Sequence, residues 1–146
     1  MMVQKLKLRA VDDEDMKILS TCLQDALVPV GDMEYFPDDG RFVLVASRFC
    51  WEQPAESLDP GDEFYERIHC ALSFNGVKKV HRRGISRRDP AQLLELLSLS
   101  VKDGAVELVF AGGAALRLEV DALSCQIEDF GEPWPTRWRP RHVIDN

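Results

Sequence analysis

The sequence predicts an α+β domain: a strongly bent antiparallel sheet, or barrel, of about seven strands, with an N-terminal helix and a C-terminal capping helix. Three observations carry this expectation. Apolar and polar residues alternate with period two in short runs between positions 41 and 120. The later runs are set off by the turn pairs Asn75-Gly76, Asp103-Gly104 and Gly112-Gly113. Two segments instead carry apolar stripes at helical spacing, Met16/Leu19/Leu23/Ala26 and Leu123/Ile127/Phe130, each opened by an aspartate, Asp12 and Asp121.

Taken in order, residues 3–9 alternate and carry Lys5, Lys7 and Arg9, the pattern of an edge strand whose cations discourage further pairing. Asp12 then caps a helix whose first turn is acidic, which suits the positive end of the helix dipole, and Pro29 sets its far limit. Residues 28–36 read as a strand broken by Gly31, and 37–40 (PDDG) as a turn. The run 41–51 is apolar on both faces, as in a strand covered on both sides. Residues 52–63 hold two prolines, a glycine and five acids, the composition of a solvated loop. In 67–74, Ile68, Cys70, Leu72 and Phe74 share the inward face, and Asn75-Gly76 predicts a hairpin returning through 77–83. Residues 95–102 place Leu97, Leu99 and Val101 inward; 105–110 and 115–120 follow with Val106, Leu108, Phe110, Leu116, Leu118 and Val120 inward. The stripe 121–130 predicts the closing helix, ended by Gly131.

At 146 residues the chain is one domain, 1–131, followed by an extended Pro/Trp/Arg-rich arm, 132–146. Four strands, then three, then a helix to plug one end is the element order of a pleckstrin-homology-like barrel; a generic α+β sandwich is the alternative. No internal repeat is visible.

Composition excludes several classes of function. Formal net charge is −7, which argues against a nucleic-acid partner, since such binding draws its affinity from neutralising phosphates. The longest apolar runs are far too short to cross a bilayer as a helix, and the opening MMVQKLKLRAVDDEDM has no apolar stretch of a secretory signal. A cytoplasmic location is therefore expected. Cys22, Cys50, Cys70 and Cys125 are 28, 20 and 55 residues apart. That spacing fits no zinc motif, so four reduced thiols without metal or other cofactor are expected.

No nucleophile elbow, zinc-helix motif, phosphate loop or dinucleotide fingerprint occurs, and no catalytic residue is assigned. Of the three histidines, His69 and His81 fall on the two strands of the expected hairpin without needing to share a face, and His142 lies in the arm. The clearest charge feature is 77–88, VKKVHRRGISRR: Lys78, Lys79, Arg82, Arg83, Arg87 and Arg88, six of eighteen cations with no acid among them. Lys79, Arg82, Arg83, Arg87 and Arg88 are the candidate anion- or partner-binding residues, because arginine's planar fork suits oxyanions. A solvated strand whose cations are matched by the protein's own acids is the competing explanation. In the arm, Trp138, Arg139 and Arg141 combine the residue types enriched at interface centres and are candidates for contact with a protein partner, while Trp134 is expected to fold back onto the body.

The run VELVFAGGAALRLEV (106–120), the tail PWPTRWRPRH (133–142) and the early segment LKLRAVDDEDMKILSTCLQDALVPVGDM (6–33) together resemble an uncharacterised alphaproteobacterial family known as a domain of unknown function. The resemblance covers nearly the whole chain. It implies genes found near histidinol dehydrogenase, and it brings no activity and no functional residue. The sequence reading is thus a non-enzymatic binding or adaptor module using the basic segment. A small-molecule binder or enzyme of unassigned chemistry is the alternative, and a homodimer formed through a strand edge or the arm is a third.

Overall fold

The computed structural model describes residues 5–50, 65–86 and 88–136. Ten strands and one α-helix make up the described architecture. Strand β1 (Lys7–Ala10) leads into helix α1 (Asp13–Leu23). Asp12 caps that helix as its residue type predicts, its Oδ1 accepting the Asp15 N–H at 2.8 Å, and Met16, Leu19 and Leu23 are buried along the expected stripe. Then come β2 (Leu27–Pro29), a single 3-10 turn (Val30–Asp32) at the expected Gly31 break, β3 (Met33–Phe36), β4 (Arg41–Phe49), β5 (Tyr65–Phe74) and β6 (Val77–Arg83). Strands β7 (Leu93–Lys102), β8 (Ala105–Phe110), β9 (Ala115–Val120) and β10 (Cys125–Thr136) complete the chain of elements.

All pairings are antiparallel, in the order β1-β10-β5-β4-β2-β7-β8-β9-β6, with β3 attached to β4 alone. The path is open, ending at β1 and β6. Inward residues of both halves meet in one core that contains Phe42 and Leu44 of β4, Cys70, Leu72 and Phe74 of β5, Leu108 and Phe110 of β8, and Leu116 and Leu118 of β9. Helix α1 lies beside β7. Ser20 Oγ accepts the Leu99 N–H at 3.0 Å, and the backbone just past the helix continues the contact, Asp25 N–H donating to Leu96 O at 2.8 Å and Leu96 N–H to Ala26 O at 2.9 Å. The helix therefore satisfies part of a strand edge that would otherwise be left unpaired. No helix among the described residues is long and apolar enough to cross a membrane.

The expected fold class is overturned. The described residues form an open ten-stranded sheet with a single α-helix, not a seven-stranded sheet with helices at both ends, and the pleckstrin-homology-like assignment falls with the closing helix it required. Residues 125–136 are a strand between β1 and β5. Ile127 belongs both to the helical stripe and to the alternation Cys125/Ile127/Asp129, all three of which are buried. Pairing on both sides decides between the two periods, because it gives partners to every second backbone group on each edge. Phe130, the third member of the helical stripe, is left outside and 43% exposed, and Gly131, at φ +71°, sits at a register shift instead of ending a helix.

The expected hairpin at Asn75-Gly76 does not form either. β5 pairs with β10 and β4, whereas β6 pairs with β9. Asn75 N–H donates to Ser124 O at 2.9 Å and Asp121 N–H to Gly76 O at 3.0 Å, so the left-handed Gly76 (φ +70°) turns a corner from one half of the sheet into the other. In β7 a register shift between Leu96 and Ser98 exchanges faces: Leu94, Leu96 and Leu99 are buried, while Leu97, expected inward, is 42% exposed. The Asp103-Gly104 and Gly112-Gly113 turns join the strands they were expected to join.

Candidate functional site

Strand β6 carries the basic segment at the far end of the sheet. A register shift between Val77 and Lys79 makes Lys78 the extra residue, so Lys79, His81 and Arg83 lie opposite Glu119, Arg117 and Ala115, and Val80 and Arg82 lie opposite the core residues Leu118 and Leu116. Simple alternation, which groups Lys78 with Arg82, is broken by that bulge. Lys79 and Arg83 are exposed, Arg82 is half-buried on the core side, and Arg88 is exposed in the connection to β7. Arg87 lies outside the described residues, as do Trp138, Arg139 and Arg141 of the arm and the acidic stretch 52–63.

Part of this charge is matched internally. Lys78 Nζ stands 3.3 Å from Asp121 Oδ1, His81 Nε2 2.5 Å from Glu119 Oε2, and Arg117 Nη1 2.8 Å from Glu107 Oε2. The hydrogen bond from His81, helped by its charge and those of Lys79 and Arg117, holds the Glu119 carboxyl below the ordinary carboxylate range. Arg83 Nε donates to Gly113 O at 3.3 Å. Among the described residues, Lys79, Arg83 and Arg88 enter no ion pair.

A cleft of about 490 Å³ separates β3 from the end of β6 and the connection that follows it. Met33 and Tyr35 face it from β3, Arg82 and Ile85 from the opposite wall, with Gly31 and Pro90 at one end and Pro37 at the other. Tyr35 crosses the gap, its Oη donating to Val77 O at 3.0 Å. Position 31 must be small: a Cβ there would lie 3.0 Å from Pro90 O and 3.1 Å from Pro90 Cβ.

A buried charge cluster went unread in the sequence. The Arg48 guanidinium grips Asp129 with two bonds, Nε to Oδ1 at 2.9 Å and Nη2 to Oδ2 at 2.6 Å, and Nη1 donates to Phe49 O at 3.0 Å. Both side chains are wholly buried. Asp129 Oδ2 also accepts the Leu6 N–H at 2.8 Å, so the pair ties β4, β10 and the segment before β1 together across β5. Arg67 stacks on Phe49, 3.8 Å from the ring centre, and donates to Ser47 O at 3.0 Å; burial lowers its pKa against the opposing pull of Asp25 and Glu95. A signal was present: Arg48 follows Phe42, Leu44 and Ala46 at the inward period of β4, where a charge demands a partner. Its partner was hidden by the helical reading of 121–130. On the outer face, His69 stacks with Phe130 (5.7 Å between ring centres) and meets Trp134 at 4.7 Å, and Trp134 is half-buried.

None of the four cysteines is in a disulfide. Burial pushes the Cys70 and Cys125 thiols up to about 12. Among the described residues, no group of three or more His, Cys, Asp or Glu side chains is arranged to hold a metal ion.

An open all-antiparallel sheet with a basic strand at its end describes the molecule to this point. The chain belongs to the family described as Protein of unknown function (DUF2948), whose model matches residues 6–142. No curated protein and no solved structure matches it.

Proposed function

We propose that this protein is a non-enzymatic binding module whose partner is an acidic protein surface, met by the cations of β6 and of the connection after it. One observation supports the reading above others: the segment 77–88 holds six cations and no acid, and it opens with β6, the last strand of the sheet path, on which Lys79 and Arg83 are exposed on one face, with Arg88 exposed nearby. The bare strand edge beside them offers backbone groups as well as charge. Lys78 and His81 already face Asp121 and Glu119, and the proposed contact residues are Lys79, Arg82, Arg83, Arg87 and Arg88. Trp138, Arg139 and Arg141 are proposed as a second contact, carried on an arm that follows β10. The setting we propose is the cytoplasm of a bacterium of the alphaproteobacterial group, near histidinol dehydrogenase in gene order, with no nucleic-acid partner.

The test is capture of partners from native cell extract by the full chain, compared with the chain in which Arg82, Arg83, Arg87 and Arg88 are changed to Glu. The expected result is loss of the captured partner on charge reversal, and release of the wild-type complex by modest salt, because exposed charges are screened beyond about 10 Å at 0.1 M. Capture that survives both treatments refutes the reading.

A further inference from the structure

We infer that the open edge of β1 takes up an acidic, extended peptide segment as an added antiparallel strand, with acids opposite Lys7 and Arg9 and an apolar residue opposite Leu8. β1 ends the sheet path away from β6; among the described residues it is paired to β10 on one side and to no strand on the other. Backbone bonds fix which of its groups are open. Asp129 N–H donates to Leu6 O at 2.9 Å, and Asn75 N–H donates to Ser124 O at 2.9 Å. The odd-numbered residues of β10 therefore turn their backbone groups to β1 and the even-numbered ones to β5. On β1, Leu6, Leu8 and Ala10 face β10, while the N–H and C=O groups of Lys7 and Arg9 point to the free edge. Val11 N–H, next in that phase, is closed off by Asp15 Oδ2 at 3.0 Å. Two donors and two acceptors in a row are left for a partner strand.

The side chains choose the partner. Lys7 and Arg9 share the outer face and are both exposed, and among the described residues neither enters an ion pair. Lys7 lies opposite Glu128 in the register and Arg9 opposite Gln126, so Arg9 carries the larger share of the uncompensated charge. Leu8 points to the other face, half-buried against the core. A second copy of β1 is a poor occupant: antiparallel pairing centred on Leu8 would set Lys7 against Arg9 twice, and like charges directly opposite destabilise a strand pair. A strand reading acid, apolar, acid suits all three positions. Its acids stand beside the two cations, its apolar residue covers Leu8, and the main chain supplies the rest of the affinity.

This edge lies at the opposite end of the sheet path from the β6 surface and shares no residue with it. The experiment titrates the isotope-labelled full chain with the blocked pentapeptide acetyl-Thr-Glu-Val-Glu-Thr-amide. Binding should slow amide exchange at Lys7 and Arg9, and leave Leu8, already turned to β10, unchanged. Glutamine in place of both glutamates should weaken binding roughly two- to thirtyfold, the range for two exposed ion pairs. N-methylation of the two glutamates, whose N–H groups face β1 in this register, should abolish binding, whereas N-methylation of the valine, whose N–H faces away, should not. Lys7→Glu with Arg9→Glu should invert the preference, so that the peptide with lysines in place of glutamates binds better than the acidic one. Equal binding of the Glu and Gln peptides, tolerance of the methylated glutamates, or unchanged exchange at Lys7 and Arg9 would overturn the site. The chain with Arg82, Arg83, Arg87 and Arg88 changed to Glu should still bind the peptide, even if it loses partner capture. Peptide binding that vanishes with that reversal would place the peptide on β6 and overturn the inference.

Discussion

Truncating Asp129 to alanine leaves the Arg48 guanidinium wholly buried without its carboxylate and takes the acceptor away from the Leu6 N–H. Removing one partner of a buried, doubly hydrogen-bonded pair costs about 3–5 kcal/mol, and the lost backbone bond adds about 1 kcal/mol. The two losses share one carboxylate, so about 4 kcal/mol is expected for the single change. For a chain of this length that corresponds to roughly 8–16 °C in Tm. Urea unfolding with an unchanged m value is the assay, since it separates lost stability from an altered denatured state. The double variant Arg48→Met, Asp129→Leu removes both charges together and should recover at least half of the loss, because desolvating the pair offsets much of what its attraction contributes. An Asp129→Ala variant within about 1 kcal/mol of wild type, or a double variant no more stable than the single one, would refute this account of the cluster.

Three further outcomes are expected. Ser20→Ala removes the acceptor of the Leu99 N–H and should cost about 1 kcal/mol, with faster hydrogen exchange at Leu99 as the readout. Burial raises the Cys70 and Cys125 thiols from 9.0 to about 12, so the unfolded chain loses these protons first; stability should fall as pH rises from about 9 toward 12, and the fall should shrink in Cys125→Ala. The Glu119 carboxyl should titrate below 4.5 by NMR and return toward it in His81→Ala; because the folded value is the depressed one, this contact stabilises above that range and is lost as pH falls through it.

How far the fold could be read from the sequence depended on whether local pattern and distant partner agreed. In β5, β8 and β9 the alternation of apolar residues matched a single buried face, and the burial of Leu72, Leu108 and Leu118 follows directly from it. Asp12 announced its helix because a cap acts within three residues. The failures lie where two periods fit the same residues or where a turn residue serves a different bend. Ile127 suits a helix stripe and a strand face equally; only the pairing with Ile68's strand and with β1, both more than fifty residues earlier in the chain, settles it. Gly76 supplies the positive φ that a tight hairpin needs, yet the same φ serves a corner. For the site, the cations were legible as composition, but the bulge at Lys78 decides which of them face outward. The cleft was not legible at all, because it is made by β3 and β6 failing to meet.

The position of β10 bears on how this protein is made. It is the last of the described strands in sequence, yet it lies inside the sheet, with β1 on one side and β5 on the other. Until residues 125–136 have left the ribosome, β1 has no strand to pair with, and β5 presents a bare edge bearing the alternating apolar face of Ile68, Cys70 and Leu72. Such an edge invites pairing with other chains. The first strand therefore waits for residues 125–136 before it can be placed, and a nascent chain stalled or cleaved before Cys125 is expected to be a substrate for chaperones and proteases rather than a smaller folded version of the protein.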